Sequence, residues 1–211
     1  MTVFGKWNYI LIYIKDGVKK TCMQATPLGL EGLFVIEPDV SSDAHGRYSY
    51  YYSEQDFTRA GAAAHYVQEH ASCYPERHTV RGLHFQQPPH AQHKVVRVAR
   101  GRIWDVCVDI RRGSPTYGQH AAIELAGGDW RQLHVPPGFA HGFCTLEPDT
   151  EVTFRLTDYN NRDHAGGLLW NDPALGIAWP CGDQPAWVFP VDRQWPALAG
   201  LRSPFQPKET S

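Results

Sequence analysis

Two polar stretches hold the residue types from which a functional pocket could be built. The first contains Arg81, His84 and Lys94, and the second, which begins at Pro136, contains His141. Both stretches adjoin short apolar runs, so we expect each to end a strand and to present polar side chains inward. Gathered around one pocket, these side chains favour chemistry over packing, because a neutral imidazole can remove a proton and an ammonium can hold a developing anion.

Strand alternation determines which of these side chains can face each other. In a regular strand Arg81 and Leu83 share one face, and His84 and Gln86 share the other. An isolated histidine here is more often a core residue, and Lys94 alone would be an edge-strand lysine that discourages aggregation. Because a lysine and a second histidine recur on neighbouring segments, we favour a shared pocket.

A buried carboxylate is expected in the run from Trp104 to Asp109. Asp105, Cys107 and Asp109 share one strand face. An unpaired carboxylate is costly to bury. We therefore expect Asp105 to pair with a histidine or arginine of the pocket.

The histidine content also suggests a metal, since small jelly rolls often bind iron or manganese through several histidines and one glutamate. The usual arrangement has His-x-His on one strand face and a glutamate a few residues further on. Here His90 and His93 lie in a proline-containing loop, and Lys94 stands where a ligand could follow. A cation beside a metal opposes binding, so we predict no catalytic metal and no cofactor.

Short apolar or alternating runs, broken by Gly, Pro, Asn and Asp, indicate the fold class. The runs are 33–37, 47–53, 80–86, 94–100, 101–109, 119–125, 130–135, 142–146 and 151–157. Their cadence is typical of an antiparallel all-β sandwich or barrel, and 12% aromatic residues suit the interior of a jelly roll. One helix is predicted at 56–68, where alanine is frequent, and a short closing helix at 190–201.

The composition limits the domain organisation and the partners. With 211 residues and 42% hydrophobic content, the chain can form one sizeable core. We predict an N-terminal extension over 1–22, a single domain over 23–203 and a polar tail over 204–211. The net charge of −2 gives no basic field for nucleic acid or for an anionic membrane surface.

The apolar segments and the cysteines indicate the cellular compartment of the protein. The apolar stretch 7–14 is too short to span a bilayer, and the start lacks the ordered regions of a secretory signal. The 5 cysteines are odd in number and show no Cys-x-x-Cys spacing, which argues against a disulfide scaffold and a zinc knuckle. We expect reduced thiols and a cytoplasmic protein.

Several longer motifs together resemble one known family. They are 34–38 (Phe-Val-Ile-Glu-Pro), 81–86 (Arg-Gly-Leu-His-Phe-Gln), 91–98, 105–118, 136–143 and 170–180. Over about 23–201 the chain resembles the dTDP-4-dehydrorhamnose 3,5-epimerases, metal-free jelly rolls of the cupin type that act on nucleotide-linked 4-keto sugars. The resemblance implies an all-β double-stranded β-helix with a few short helices.

The resemblance also implies a role for each matching residue. His84 corresponds to the general base, Asp192 to the carboxylate that orients it, and Lys94 to the donor to the enolate oxygen. Such a donor is typically worth ~3 to 4 kcal/mol. Further contacts with the ligand or around the sugar are implied for Arg81, Gln68, Asp105 and His141.

Other positions depart from the family pattern. Phe154 stands where the family has the tyrosine that returns the proton, and a phenyl ring cannot donate one. Tyr159 falls one position before the family's second tyrosine, at Asn160. Around the nucleotide, an arginine, a glutamate and an asparagine of the family are replaced by His45, Tyr50 and His70. We expect Phe154, His45 and Tyr159 to border the substrate all the same.

These residues predict epimerisation of a nucleotide-linked 4-keto-6-deoxy sugar at C3, at C5 or at both, through an enolate, for deoxysugar biosynthesis. Loss of the tyrosine could confine inversion to C3. Two alternatives stay open: a paralogue that acts on a CDP- or GDP-linked sugar, and a jelly roll that binds a nucleotide sugar without turnover. The family implies a homodimer in which strands near the N-terminus cross to the partner sheet, with a nucleotide-diphosphate sugar as ligand and no nucleic-acid or membrane partner.

Overall fold

The computed structural model describes residues 23–63, 65–182, 184–185 and 187–206. The predicted extension over 1–22 lies outside the described residues. The strands are β1 Gln24–Pro27, β2 Phe34–Glu37, β3 Ser41–Asp43, β4 Gly46–Tyr48, β5 Gln68–Tyr74, β6 Thr79–Gln86, β7 Lys94–Arg100, β8 Arg102–Asp109, β9 His120–Ala126, β10 Gln132–Val135, β11 Phe139–Thr145, β12 Thr150–Leu156, β13 Ala165–Gly167 and β14 Trp187–Val188. The helices are α1 Glu54–Ala60 and four 3₁₀ turns: η1 Arg162–His164, η2 Pro173–Leu175, η3 Pro190–Arg193 and η4 Leu198–Gly200.

Two mainly antiparallel sheets form the body of the described chain. The first has the order β1-β2-β10-β7-β12-β5, and the second has the order β13-β6-β11-β8-β9, with β14 parallel to β6. Apolar side chains from both sheets meet in one cluster, which includes Val35, Val96, Val152, Ile103 and Phe143. This shared cluster holds the sheets face to face, as the predicted all-β class requires.

The one α-helix is shorter than the sequence pattern suggests. Ser53 caps the start of α1 by accepting from the N–H of Asp56, and Gly61 ends it in the left-handed conformation with φ 81°. The predicted helix at 56–68 is therefore wrong beyond Ala60. Its last residue, Gln68, begins strand β5 instead. The inward-facing side chains of β5 are mostly polar. This strand therefore lacks the apolar alternation by which a half-buried strand is recognised in a sequence.

The C-terminal part adds a second apolar layer behind the second sheet. Trp170, Trp179 and Phe205 are buried there, and Trp179 Nε1 donates to the Trp170 carbonyl at 2.8 Å. Phe205 packs on Phe85 with ring centroids 5.8 Å apart. The segment predicted as a polar tail from residue 204 therefore includes a core residue.

Two other sequence-based boundaries differ from the structure. The strand predicted at 47–53 ends at Tyr48, and the closing helix predicted at 190–201 consists of two separate 3₁₀ turns, η3 and η4. Pro196 lies between these turns, and proline does not continue a helix because it lacks an N–H. None of the described helices is long and apolar enough to cross a bilayer.

A buried histidine joins the first sheet to its neighbouring loops. His134 on β10 is 2% exposed, and its Nδ1 donates to the Gly32 carbonyl at 3.2 Å. His93 Nδ1 donates to His134 Nε2 at 3.1 Å, and the His134 ring stacks on Phe34. Burial, and then the proximity of His93, lowers the pKa of His134 from 6.5 to about 4.

We expect the protein to lose stability as the pH falls below 7. The pKa of His134 is lower in the folded than in the unfolded state, so the unfolded state binds more protons in this range. Between pH 7.5 and pH 5 this residue should remove about 2 kcal/mol from the free energy of unfolding. Urea unfolding at both pH values measures the loss. A His134→Gln variant should lack this part of the pH dependence, and an unchanged dependence in the variant would contradict the assignment.

Candidate active site

A cavity of about 740 Å³ opens between the two sheets. Strands β5, β7 and β12 form the wall on the first sheet, and β6 and β11 form the wall on the second. The four residues expected to share a pocket, Arg81, His84, Lys94 and His141, all line it. The volume lies in the range usual for sites that bind small molecules.

His84 and Asp192 form a tight pair at the back of the cavity. Asp192 Oδ1 lies 2.5 Å from His84 Nε2, and Asp192 Oδ2 accepts the N–H of Gly82 at 3.0 Å. The Asp192 carboxylate is completely buried, so these two donors must replace its lost hydration. An ionised Asp192 holds the proton of His84 on Nε2, which leaves Nδ1 free to accept another.

The turn that carries Asp192 is docked on β6 by a second contact. Pro190 begins η3. Proline suits this first position because it has no N–H, and an N–H there would have no helical partner. The preceding residue, Phe189, lies under the Arg81 guanidinium, 3.6 Å from its ring centroid. The Arg81–Phe189 contact and the Asp192–Gly82 contact therefore both hold η3 against β6. Arg81 also lines the cavity.

Arg81 and His84 reach the same cavity because strand β6 contains a bulge. His141 pairs with His84 and Phe143 with Arg81, so two residues of β6 lie opposite one residue of β11. Strict alternation, which predicted opposite faces for Arg81 and His84, is wrong here. Gly82 makes the bulge possible: its φ is +118°, and a Cβ there would lie 2.6 Å from the Gly142 Cα.

Lys94 faces the cavity from the middle of the first sheet. Its strand β7 runs between β10 and β12, so the alternative of an edge-strand lysine is excluded. Lys94 Nζ donates to the His84 carbonyl at 3.3 Å. Burial lowers the pKa of Lys94 from 10.5 to about 8, although Cys107 and Asp105 act in the opposite direction.

A second histidine–carboxylate pair lies beside the first. His141 Nε2 is 2.9 Å and 3.0 Å from the two oxygens of Asp105, which confirms that the buried Asp105 pairs with a pocket histidine. Burial raises the pKa of Asp105, while His141 and then Lys94 oppose the rise. Asp105 thus lies behind His141, as Asp192 lies behind His84.

Asp105, Cys107 and His141 also bring three possible metal-ligand atoms within 4.8 Å of one another. Burial raises the pKa of the Cys107 thiol well above its usual value, so the sulfur stays protonated. Lys94 also places a positive charge close to Asp105 and Cys107. Both features disfavour a cation at these residues.

The wall opposite His84 is aromatic. Phe154 on β12 lines the cavity and pairs across the strands with His70 on β5. The two rings stack with centroids 5.1 Å apart and an interplanar angle of 20°. The rings of His141 and Phe154 lie edge to face, with their centroids 6.2 Å apart.

Comparison with known proteins identifies the family. A family model described as dTDP-4-dehydrorhamnose 3,5-epimerase matches residues 27–200. The chain belongs to this epimerase family. The dTDP-4-dehydrorhamnose 3,5-epimerase of Sinorhizobium fredii is 44% identical over 153 residues, which cover 72% of this chain and 78% of that protein.

Solved structures agree with this assignment. The dTDP-4-dehydrorhamnose 3,5-epimerase of Bacillus anthracis, with TDP and PPi bound, is 39% identical, with a TM-score of 0.80 over 83% of this chain and 99% of that chain. A 3′-monoepimerase from Streptomyces bikiniensis, in complex with dTDP-quinovose, is 28% identical, with a TM-score of 0.76 over 82% and 87% of the two chains. The predicted cupin-type jelly roll is confirmed.

Two of the residues expected at the epimerase site, His45 and Tyr159, lie away from the cavity. His45 is exposed in the β3–β4 turn, because that hairpin is held at the outside, where Arg47 donates to the Gly128 carbonyl at 3.1 Å. Tyr159 is 65% exposed, and its neighbour Asn160 takes the inward position.

Gln68 acts on the epimerase cavity indirectly. Its Oε1 accepts the N–H of Asn160 at 3.0 Å, while Gln92 Nε2 donates to the Asn160 side chain at 3.3 Å. These contacts fix the start of the segment 160–162, which lines the cavity. Gln68 therefore shapes the wall without forming part of its surface.

Sequence analysis did not single out several residues that line the epimerase cavity. They are Ser72, Tyr74, Gln92, Asn161, Arg162, Phe189 and Trp195. Those on β5 lie in a strand that none of the apolar runs marks, and the remainder lie mostly in loops without periodicity. The available signal was the polar alternation from residue 68 to residue 74, which indicates a strand with a polar inner face.

We expect Gly82→Ala to lower the stability of the protein more than Gly128→Ala does. Gly128 also has a positive φ, of 86°, but a Cβ there would meet nothing within 4 Å. Gly128→Ala should therefore lose only about 1 to 2 kcal/mol of stability from backbone strain. Gly82→Ala should lose clearly more, because its Cβ would also strike the Gly142 backbone. Chemical denaturation of both variants measures the difference, and equal losses would contradict the role of the bulge.

Proposed function

We propose that the protein epimerises a nucleotide-linked 4-keto-6-deoxy sugar through an enolate, as an isomerase of deoxysugar biosynthesis. The observation that carries this proposal is the His84 ring, backed by the buried Asp192 and facing a cavity that Lys94 also borders. Base, orienting carboxylate and cation are the three groups that proton removal next to a ketone requires.

In the first step His84 removes a proton from the carbon beside the ketone. Burial lowers the pKa of His84, although Asp192 opposes the shift, so the ring is neutral at pH 7 and able to accept a proton. As the imidazolium forms, the carboxylate 2.5 Å away stabilises its charge. The C–H electrons form a C=C bond, the π electrons of the ketone move onto its oxygen, and the intermediate is an enolate.

Lys94 is proposed to stabilise that enolate oxygen. An ammonium in a water-poor cavity costs no reorganisation when the charge develops, which typically makes such a donor worth ~3 to 4 kcal/mol. Lys94 Nζ has the His84 carbonyl as its fixed partner at 3.3 Å, so its position relative to the base is set by the fold.

The substrate is proposed to carry a diphosphate and, in preference, a thymidine nucleotide. Arg81 and Arg162 line the cavity and supply positive charge for the phosphates. The relative from Bacillus anthracis holds TDP, and the one from Streptomyces bikiniensis holds dTDP-quinovose. We favour inversion at C3, because Phe154 places no proton donor on its part of the far wall.

We further propose a cytoplasmic homodimer. The described cysteines form no disulfide, as expected of a reducing compartment. All four residues of the edge strand β1 are exposed, and the nearby hairpin leaves Tyr48 and Tyr50 about half exposed, which favours pairing with a second copy. Light scattering should give the mass of a dimer, and a monomer would contradict the proposal.

The proposed base is tested by isotope exchange. With dTDP-4-keto-6-deoxyglucose in deuterated water, NMR should show deuterium entering the wild-type product beside the ketone. His84→Ala should slow this exchange by ~10²- to 10⁴-fold. It also removes one partner of the buried Asp192 carboxylate, so its melting temperature should fall, and circular dichroism at the assay temperature verifies that the variant is folded. His65→Ala, which changes an exposed histidine outside the cavity, is the matched control. Exchange at the wild-type rate in His84→Ala would remove His84 from this role.

We expect kcat/KM to fall on both sides of neutral pH. Below the ordinary histidine pKa of 6.5, His84 begins to bind a proton and can no longer act as a base; its lowered pKa places this loss below that value. Above the Lys94 pKa of about 8 the ammonium becomes a neutral amine, so activity should fall as the pH rises through that value.

The alkaline limb can be assigned with one variant. Lys94→Arg keeps a positive charge to much higher pH. Whatever activity it retains should therefore show no loss near pH 8 in a kcat/KM profile. An alkaline limb at the same pH in this variant would assign the titration to a different group.

A further inference from the structure

Inversion needs a proton donor on the wall that faces His84. A proton returned from the side of His84 restores the starting sugar, so the opposite face of the planar enolate must receive one. His84 lies on β6 of the second sheet, and β5, β7 and β12 of the first sheet face it across the cavity. Within the described chain, the titratable side chains of that wall that line the cavity are His70, Tyr74 and Lys94.

Two of these three groups have other partners. Lys94 is already proposed to hold the enolate oxygen. Tyr74 is 7% exposed, its ring packs edge-on against Phe143 with centroids 5.3 Å apart, and its hydroxyl interacts with Ser72 and Arg81. Tyr74 is thus part of the core packing at the base of the wall.

His70 has no such partner. Its Nδ1 is buried and makes no hydrogen bond, although a buried polar atom without a partner is costly. The stack on Phe154 fixes the ring plane, and the cross-strand pairing of the two residues fixes its height in the cavity. Because Nδ1 has almost no accessible surface, the edge of the His70 ring that lines the cavity is the part that can reach a ligand.

We propose that His70 returns the proton to the sugar carbon, on the face opposite His84. This inference rests on the proposed function. The N–H bond of the His70 imidazolium breaks, the enolate electrons form the new C–H bond, and the ketone is restored. His84 is left as the imidazolium and His70 as the neutral ring. Release of one proton to solvent and uptake of another then return both to their starting states, so each turnover is neutral in protons.

The surroundings of His70 favour donation. Burial, followed by the charges of Lys94 and Arg81, lowers the pKa of His70, so its imidazolium, the minor form at neutral pH, is a stronger acid than a free one. The same two cations act on His84, and the two histidines lie on opposite walls of the cavity. A sugar diphosphate bound by these cations would therefore have one imidazole on each side.

The test separates exchange from inversion in one assay. With dTDP-4-keto-6-deoxyglucose in deuterated water, His84 alone can still exchange a proton with retention of configuration, because its imidazolium equilibrates with solvent. In His70→Asn, deuterium should still enter beside the ketone, while the rate of inversion should fall by ~10²- to 10⁴-fold. His65→Asn, which changes an exposed histidine outside the cavity, should invert at the wild-type rate.

A second variant keeps the test decisive. His70→Phe retains a ring to stack on Phe154 and replaces His70→Asn if that variant melts early. In His70→Asn/Phe154→Tyr a phenol next to the missing imidazole should restore inversion at least in part. Wild-type inversion in His70→Asn or His70→Phe would overturn the role of His70. Absence of any exchange by the wild-type protein would instead overturn the proposed function.

Discussion

The buried carboxylate of Asp192 is the group on which the rest of the site depends. It is fully shielded from solvent, and its two oxygens are satisfied by the His84 ring and the Gly82 N–H. Removing one partner of such a buried pair typically costs ~3 to 5 kcal/mol. These contacts couple the bulge in β6 to the docking of η3 and to the orientation of His84. The Gly82 N–H reaches Asp192 only because the bulge turns it there. The same bulge brings Arg81 and His84 to one cavity.

The charges around the cavity are arranged so that the cations, and not the carboxylates, face a ligand. Asp192 lies behind His84 and Asp105 behind His141, so each carboxylate is separated from the cavity by an imidazole. Arg81 and Lys94 face the space directly. The cavity therefore presents positive charge to a ligand, and burial of the ammonium lowers the pKa of Lys94 to about 8. A sugar diphosphate would provide the missing negative charge.

The fold class and most of this site could be predicted from the sequence because both depend on local signals. Apolar runs separated by turn residues gave the strands, and the types of His84, Lys94 and Asp105 matched their chemistry. What could not be predicted is what depends on tertiary contact. The bulge overrode strict alternation at Arg81, and the polar strand β5 was missing from the predicted strands because its cavity face is not apolar. The hairpin position of His45 follows from a distant contact at Gly128, which no local pattern contains.

Buried polar atoms without a hydrogen-bond partner occur at the cavity and elsewhere, the others in the described chain being on Tyr66, His78, Trp130 and His164. Besides His70 Nδ1, the Trp195 Nε1 is buried without a partner, and both residues line the cavity. Trp195 reaches this place only because Gly167 has no side chain: a Cβ there would lie 2.3 Å from the indole. Each orphaned group costs roughly 1 to 3 kcal/mol of stability, a cost that packing alone would remove by an apolar substitution. His70 and Trp195 nevertheless border the cavity with the rest of their rings, and a bound sugar would contact them through those ring edges.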